Sequence, residues 1–331
     1  MTPDDRSLEE LLGAFALDSC DPEEAAAVED LLRRRPDLAV EVARLRTAAA
    51  WLGALEATEP PETLRESVLA ATTADPTDAA RQLYEAEARR LDVELEALAP
   101  ARYDVVTPNG LSARSLAIHL AAQDSLFAQL VGRPVGEVDL LDIDDRTAAM
   151  LDRYEGRPYG EVLDVWRDAV AQVLTWARGR PSGASPIPWL GLAMSPADVL
   201  TARSFENWLH RDDLRRVRGV ASEPPPAREL GLMAALAMRT LPAGLAATAH
   251  ARPGRSARIV LTGAGGGTWD LALDPAEEVA APPAVTVTAS ALDWCLLAGE
   301  RLEAADLVHT VDGDADLAAD LVGAAPAFAT L

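Results

Sequence analysis

Residues 197–219 carry a pattern of hydrophobic and polar positions that predicts one amphipathic helix. Ser195 and Pro196 stand just before it, where an N-cap side chain and a first-turn proline favour the start of a helix. Gly219 stands where the helix would end. The periodicity thus predicts the helix, and the residue types at its two ends predict its boundaries.

Two polar residues of this helix, Glu206 and His210, are four positions apart and share one face. Burying a carboxylate and an imidazole costs free energy unless the two groups are paired. Two explanations are open: a divalent metal ion bound by both residues, or a hydrogen-bonded pair in the core. Burial of this face is indicated by the apolar residues on the same side, Phe205, Leu209 and Val217.

Helical periodicity recurs upstream of this segment, and four helices joined by long connections are typical of a bundle. Ser112 is the expected N-cap of one of these helices. We expect a linker over residues 72–78 and a loop over 179–196. The upstream helices are predicted over 79–98, 111–131 and 160–178, with a short helix over 146–154.

The pattern changes after Pro224–Pro226, where short alternating segments follow a helix predicted over 227–241. Gly265–Gly267 predict a hairpin turn, and they are not a phosphate-binding loop because a strand follows them. The predicted domain is α+β. Its strands are expected over 257–263, 268–274, 284–290 and 309–314, with one helix capped by Ser290 and another over 315–322.

The first 70 residues predict a small helical module. A second helix begins at Asp21-Pro22 and runs to about Arg34, a third begins at Pro36, and residues 58–61 end it. The apolar face of the first helix is formed by Leu8, Leu11, Leu12 and Phe15.

These patterns together predict a multi-domain, mainly α-helical fold. The expected parts are a helical domain over residues 1–70, a four-helix bundle over 79–222 and an α+β domain over 227–331.

The composition indicates in which cellular compartment the chain is expected. Of its 331 residues 49% are hydrophobic, yet no apolar run of about 18 residues predicts a membrane-spanning helix. The acidic start argues against a secretory signal. Two cysteines, Cys20 and Cys295, cannot make a disulfide framework, so the cytoplasm is the expected location.

Charge excludes several classes of function. The net charge of −23 opposes binding to nucleic acid or to anionic membranes. All 30 basic residues are arginine, which excludes Schiff-base chemistry on a lysine and a P-loop lysine.

His119 lies among apolar residues on the second helix of the predicted bundle. A lone histidine there is usually a satisfied core residue. Facing helices of a bundle converge on its core, so His119, Glu206 and His210 would give three ligands and one open position, as in catalytic zinc sites. His250 and His309 have no comparable partner nearby in the sequence.

From about residue 79 to its end, the chain resembles the mycothiol-dependent maleylpyruvate isomerase family of DinB-like metal-dependent bundles. The matching segments are LSARSLAIHLAAQD, MSPADVLTARSFENWLHRDDLRRVRG, ARIVLTGAGGGTWDLAL and LDWCLLAGERL. The resemblance implies that His119, Glu206 and His210 bind zinc or a similar divalent metal, and that mycothiol is the thiol cosubstrate. It also implies a sterol-carrier-like domain over 227–331. Residues 109–111 depart from the family, whose members commonly have a tryptophan there.

The first domain resembles the N-terminal domain of zinc-binding anti-sigma factors through LLGAFALDSCDPEEAAAVEDLL and RRPDLAVEVARL. The positions of the family's ligands fall on Leu31, Arg35 and Leu38, which cannot bind zinc. If the resemblance holds, apolar packing must stabilise this module. Residues 1–66 have a net charge of −9, and they would form either a solvated accessory domain or a surface for a basic partner such as a sigma factor.

A cation held by two imidazoles and one carboxylate would stabilise the thiolate of a thiol at its open position. Attack of that thiolate on an electrophilic carbon gives isomerisation if the thiol leaves again, or thiol transfer if it stays. Water in the same position would give hydrolysis. Cys295 lies in an apolar helical run and is expected in the core, so the thiol must be external.

Two further residues are candidates for catalysis. Asp213 is one turn beyond His210 and would orient a ligand or a substrate, or would remain an exposed acid. Arg239, in the first helix of the last domain, is expected to reach over the site and clamp a carboxylate.

The first hypothesis is thus a zinc enzyme that activates a low-molecular-weight thiol for addition to a small electrophile. The second is an anti-sigma-like regulator that carries a metal-sensing or ligand-sensing bundle. A third is an enzyme of the same fold with a new biosynthetic substrate, because a shared fold does not fix the reaction.

Overall fold

A computed structural model describes residues 5–17, 19–56, 75–108, 110–179, 185–189, 192–249, 251–279 and 282–329. The chain divides into two compact units, Met1–Thr73 and Ala74–Leu331. The described part of the first unit is helical, and the described strands belong to the second. The expected multi-domain, mainly α-helical fold is confirmed.

The first unit is built from short helices around a small apolar core. Its third helix begins with a capping box, in which the carboxylates of Asp21 and Glu24 each accept a hydrogen bond from the backbone N–H of the other. The expected break over residues 58–61 lies outside the described residues. The helices are α1 (Asp5–Glu10), α2 (Leu12–Ala16), α3 (Pro22–Arg34) and α4 (Pro36–Glu56).

The positions that correspond to anti-sigma zinc ligands serve packing and ion pairing. Leu31 is fully buried in the core of the unit, and Leu38 packs against that core. Arg35 forms ion pairs with Asp37 at 2.6 Å and with Glu9 at 3.4 Å. Two of these three positions therefore stabilise the unit through apolar contacts and the third through ion pairs.

The second unit contains the helical bundle. Its last helix has the expected boundaries, because the Ser195 side chain accepts from the Asp198 N–H and Gly219 ends the helix at φ 73°. This helix packs mainly along the first helix of the bundle, and the second helix packs along the fourth. The helices are α5 (Pro76–Glu96), α6 (Ala113–Leu130), α7 (Ile143–Tyr154), α8 (Tyr159–Ala177) and α9 (Pro196–Arg218).

Two expectations about the connections were wrong. Helix α5 begins three residues earlier than predicted, because Asp75 caps it and Pro76 occupies its first turn. The segment predicted as a loop contains an antiparallel hairpin of β1 (Ile187–Trp189) and β2 (Leu192–Met194). Its inward side chains, Ile187, Trp189 and Met194, are buried, and this burial stabilises the two strands.

The C-terminal α+β domain contains a four-stranded sheet in the order β4-β3-β5-β6. Strand β3 pairs antiparallel with β4 and parallel with β5, and β6 pairs antiparallel with β5. The elements are α10 (Ala227–Thr248), β3 (Ser256–Thr262), β4 (Gly267–Ala272), β5 (Val285–Ser290), α11 (Ala291–Ala298), β6 (His309–Gly313) and α12 (Ala315–Ala324).

Helix α10 continues through Pro242, where the sequence predicted its end at Leu241. A proline inside a helix removes one backbone hydrogen bond. Leu241 and Leu245 on either side of it are buried in the domain core, and this burial offsets the loss.

Among the described residues, α10 is the one helix with enough length and apolar character to cross a membrane. Half of its most apolar window is buried within the protein. Its inward residues Leu230, Met233 and Met238 belong to the core of the C-terminal domain. The helix is therefore the core helix of that domain.

Helix α9 links the bundle to the C-terminal domain. Phe205, Trp208 and Leu209 on α9 belong to the same apolar cluster as the buried residues of α10, the sheet and α11. Helix α9, which also carries Glu206 and His210, therefore lies where the two parts of the second unit meet.

Two glycines of α10 test how closely the C-terminal domain is packed. A Cβ at Gly244 would lie 2.9 Å from the backbone oxygen of Ala324, whereas at Gly231 the nearest atom would be 3.5 Å away. We expect Gly244→Ala to destabilise the protein by about 1–3 kcal/mol through overpacking. Gly231→Ala should stabilise it by about 0.5–1 kcal/mol, because alanine favours helix. The thermal unfolding midpoint of each variant measures its change in stability. Equal shifts of the two midpoints in the same direction would contradict the close packing inferred at Gly244.

Candidate metal centre

Helices α6 and α9 bring His119, Glu206 and His210 together. One potential ligand atom from each side chain lies within 4.8 Å of the others. Glu206 Oε1 is 3.2 Å from His119 Nε2 and 3.6 Å from His210 Nε2. The two imidazole rings stand nearly perpendicular, with centroids 5.8 Å apart. The three groups thus converge on one point, although 87 residues separate His119 from Glu206.

Arg203 fixes the orientation of the Glu206 carboxylate. Its fully buried guanidinium donates a hydrogen bond to Glu206 Oε2, which leaves Oε1 towards the histidines. Burial by itself would raise the pKa of Glu206. The Arg203 charge and the hydrogen bonds with the two histidines outweigh burial and hold this pKa well below its usual value. Glu206 is therefore ionised at neutral pH and suited to bind a cation.

Asp124, also fully buried, holds Arg203 in turn. Its carboxylate accepts hydrogen bonds from Arg203 Nε at 3.0 Å, from the Tyr84 hydroxyl at 2.9 Å and from Trp166 Nε1 at 2.9 Å. These donors come from α9, α5 and α8, and Asp124 lies on α6. One carboxylate thus joins the four long helices of the bundle beneath the candidate site.

Gln123 adds a neutral donor from α6. Its side-chain nitrogen donates to Glu206 Oε1 at 3.1 Å and lies 3.5 Å from His119 Nε2. Its side-chain oxygen is buried without a hydrogen-bond partner. The residue next to Asp124 therefore contacts two of the three candidate ligands.

Asp213 contacts the other side of the His210 ring. Its Oδ2 atom is 3.2 Å from His210 Nδ1, so a proton on Nδ1 leaves Nε2 free to coordinate a metal. Burial would lower the pKa of His210, but the hydrogen bonds with Asp213 and Glu206 outweigh it and raise this pKa. The sequence suggested an orienting role for Asp213, and the observed contact is of that kind.

Arg301, from the segment after α11, holds Asp213 in place. Its Nε and Nη2 atoms donate to the two oxygens of Asp213 at 3.0 and 2.6 Å. Burial would raise the pKa of Asp213, but the hydrogen bonds from His210 and Arg301 lower it below its usual value. The C-terminal domain therefore contributes a guanidinium to the surroundings of the site.

Arg239, which the sequence predicted at this place, lies elsewhere. It pairs with Asp198 and lines a separate cavity near the start of α9. Asp198 precedes His210 by twelve residues, or about 18 Å along a helix axis. The predicted clamp over the site is therefore wrong, and Arg301 is the arginine of this domain that reaches the site.

A cavity of about 410 Å³ opens on the three convergent side chains. Its walls are mainly apolar and come from the β1–β2 hairpin, α9 and the end of the chain. This volume is within the range of small-molecule sites. The wall residues include Trp189, Leu192, Met194, Phe205 and Phe328, and the charged residues at the cavity include Asp144, Glu300 and Arg301.

His309 and Cys295 do not line this cavity. His309 lies in β6 with Nδ1 2.9 Å from the Leu307 carbonyl, and His250 is outside the described residues. Cys295 is fully buried in the C-terminal core, where burial raises the pKa of its thiol. Cys295 is therefore not available as a reacting thiol at the cavity.

Sequence reasoning missed Gln123, Asp124, Arg203 and Arg301. Arg203 offered a weak signal, because it precedes Glu206 by three positions on the same predicted helix. Asp124 and Gln123 offered only their position after an apolar helical run. Arg301 offered no signal, since its contact with Asp213 spans 88 residues.

Comparison with known proteins finds a family model, relatives and solved structures that are similar to this chain. Residues 84–215 match the family model described as mycothiol maleylpyruvate isomerase N-terminal domain. An uncharacterized protein found in two strains of Mycobacterium tuberculosis is 30% identical over 156 residues, or 47% of this chain and 57% of the relative. The chain thus spans less than two thirds of the length of these relatives.

Two crystal structures of the mycothiol-dependent maleylpyruvate isomerase, one of them a histidine-to-alanine mutant, are similar in fold. Their TM-scores are 0.51 and 0.50 at 14% identity, over 71% of this chain and 92% of theirs. The region matched by the family model includes His119, Glu206 and His210. Over residues 84–215 the chain is thus similar to the mycothiol maleylpyruvate isomerase N-terminal domain.

Proposed function

We propose that this protein is a metal-dependent enzyme that activates a low-molecular-weight thiol, mycothiol, for addition to an electrophilic small molecule. The observation that carries the proposal is the convergence of His119, Glu206 and His210 at the wall of a cavity. The family match and the reaction named for the structural neighbours support mycothiol as the thiol.

The donor set suits zinc or a similar divalent cation. Two imidazole nitrogens and one carboxylate oxygen, with the fourth side open to a cavity, are typical of catalytic zinc sites. Glu206 is ionised, and Asp213 holds the His210 ring with Nε2 towards the site. When bound, the cation supplies positive charge that lowers the pKa of a thiol placed beside it.

The residues around this point position the reactants and exclude water. Arg203 and Asp213 keep Glu206 and His210 in place, which limits the reorganisation needed during the reaction. The apolar wall formed by Trp189 and Phe205 favours an apolar electrophile and excludes bulk water. Addition of the thiol forms a carbon–sulfur bond. Its cleavage after bond rotation returns the thiol and gives the other geometric isomer, whereas its retention gives thiol transfer.

Turnover with mycothiol tests the proposal directly. Zinc-loaded protein, mycothiol and a cis-configured unsaturated carbonyl compound should give either the trans isomer with no loss of thiol or a stable thioether with one thiol lost per product. Equal rates with and without protein for a panel of such compounds would contradict the proposed activity. Cytoplasmic location and binding of a sigma factor through residues 1–70 stay predictions from the sequence.

Metal content tests the three ligands. Purified protein should hold about one equivalent of zinc or a similar divalent ion, and His119→Ala or His210→Ala should remove most of it, because each leaves two ligands. His309→Ala is the matched control and should retain the metal. Elemental analysis measures the content, and circular dichroism should show nearly unchanged helix. Full metal retention in both ligand variants would refute the assigned site.

The orienting role of Asp213 has its own test. Asp213→Asn should weaken zinc binding by about 10–100-fold, the usual effect of losing a carboxylate that orients a histidine ligand. The control is Asp212→Asn on the same helix, because Asp212 pairs with Arg216 and not with the histidines. Competition with a zinc chelator measures both affinities. An affinity of the Asp213 variant within twofold of the parent protein would contradict the role.

A further inference from the structure

The cavity presents little free positive charge to a substrate. Arg301 is the arginine among its lining residues. Both oxygens of Asp213 accept from this guanidinium, and its Nη1 donates to the Gly299 carbonyl at 2.9 Å. Arg203 lies behind Glu206 with no exposed surface. The two guanidiniums nearest the site are thus committed to carboxylates of the protein itself.

Two carboxylates at the cavity are, in contrast, not paired with charged groups in the described part of the protein. Asp144, in the first turn of α7, and Glu300, just after α11, both line the cavity and are exposed. Among the described residues, neither side chain forms an ion pair or a hydrogen bond with another group of the protein. Their negative charges therefore face whatever enters the cavity.

The backbone at Glu300 supports a role for this side chain. With φ 56°, Glu300 is the one non-glycine residue at positive φ in the described part of the chain. Glycine would adopt this conformation at lower free energy. A Cβ at the preceding Gly299 would meet Leu209 Cδ1 at 2.3 Å, so a side chain there would displace Leu209. A carboxylate thus stands at the cavity although its backbone conformation costs free energy.

The remaining walls favour an apolar molecule. Leu192 and Phe328 are partly exposed on this side, and Trp189, Met194 and Phe205 also line it. The chain as a whole carries a net charge of −23, which adds a long-range repulsion for anions. A divalent cation beside the Glu206 carboxylate keeps one net positive charge, and a thiolate would neutralise it.

We propose that the electrophile of this enzyme is an uncharged molecule with an apolar body, and that Asp144 and Glu300 select against dianions. The inference rests on the proposed function and specifies its substrate class. A dicarboxylate would place two negative charges near two unpaired carboxylates, with no free guanidinium to offset the repulsion.

Binding of dimethyl phthalate and of the phthalate dianion to the full-length, zinc-loaded protein tests this selection without turnover. These probes share an aromatic body and differ in charge. Because carboxylates also coordinate metal ions, each probe is compared between variants. We expect the Asp144→Asn/Glu300→Gln double variant to raise the ratio of phthalate affinity to dimethyl phthalate affinity by about tenfold, because two repelling charges are removed. Added salt should make this change smaller, because it screens the charges.

The matched control is Glu278→Gln/Asp316→Asn, which removes two exposed charges away from the cavity and should leave the ratio unchanged. An unchanged ratio in the Asp144/Glu300 variant, or an equal shift in the control, would overturn the proposal. Failure of this proposal can be told apart from failure of the proposed function. Absence of metal binding or of thiol turnover would contradict the proposed function. The ratio of phthalate affinity to dimethyl phthalate affinity reports only the charge preference of the cavity.

Discussion

The rest of the second unit depends on the ion pairs that the buried guanidinium of Arg203 forms with Asp124 and Glu206. The guanidinium has no exposed surface, and it lies between Asp124 and Glu206, two carboxylates on different helices. A buried charge is costly unless it is paired. Asp124 and Glu206 compensate the guanidinium, and Tyr84 and Trp166 donate hydrogen bonds to Asp124. The packing of four helices therefore supports the ionised state of Glu206.

This arrangement explains why a polar face on α9 is compatible with a buried helix. One face packs Phe205, Trp208 and Leu209 into the core of the C-terminal domain. Another carries Glu206 and His210 to the wall of the cavity. Arg203 and Asp213 satisfy these groups from neighbouring turns of the same helix. The polar groups are thus paired before any ligand enters, and the helix can hold them in fixed positions.

The sequence predicted what is local. Ser195, Pro196 and Gly219 predicted the bounds of α9, and the helical period predicted that Glu206 and His210 share a face. The convergence of helices in a bundle added His119, and the family resemblance supported it. The rest depends on contacts between distant segments, such as Arg301 with Asp213, which no period or cap encodes. Arg239 was predicted to clamp a carboxylate because it lies in the C-terminal domain. Its position along α10 instead places it beside Asp198.

The β1–β2 hairpin has a consequence for how this protein can change over time. It lies between α8 and α9, and its Trp189, Leu192 and Met194 form a wall of the cavity without belonging to the helices that carry the histidines. Surface connections tolerate insertion and replacement far better than bundle helices do. Substitutions in this short segment can therefore change the shape of the cavity while the convergence of His119, Glu206 and His210 stays untouched.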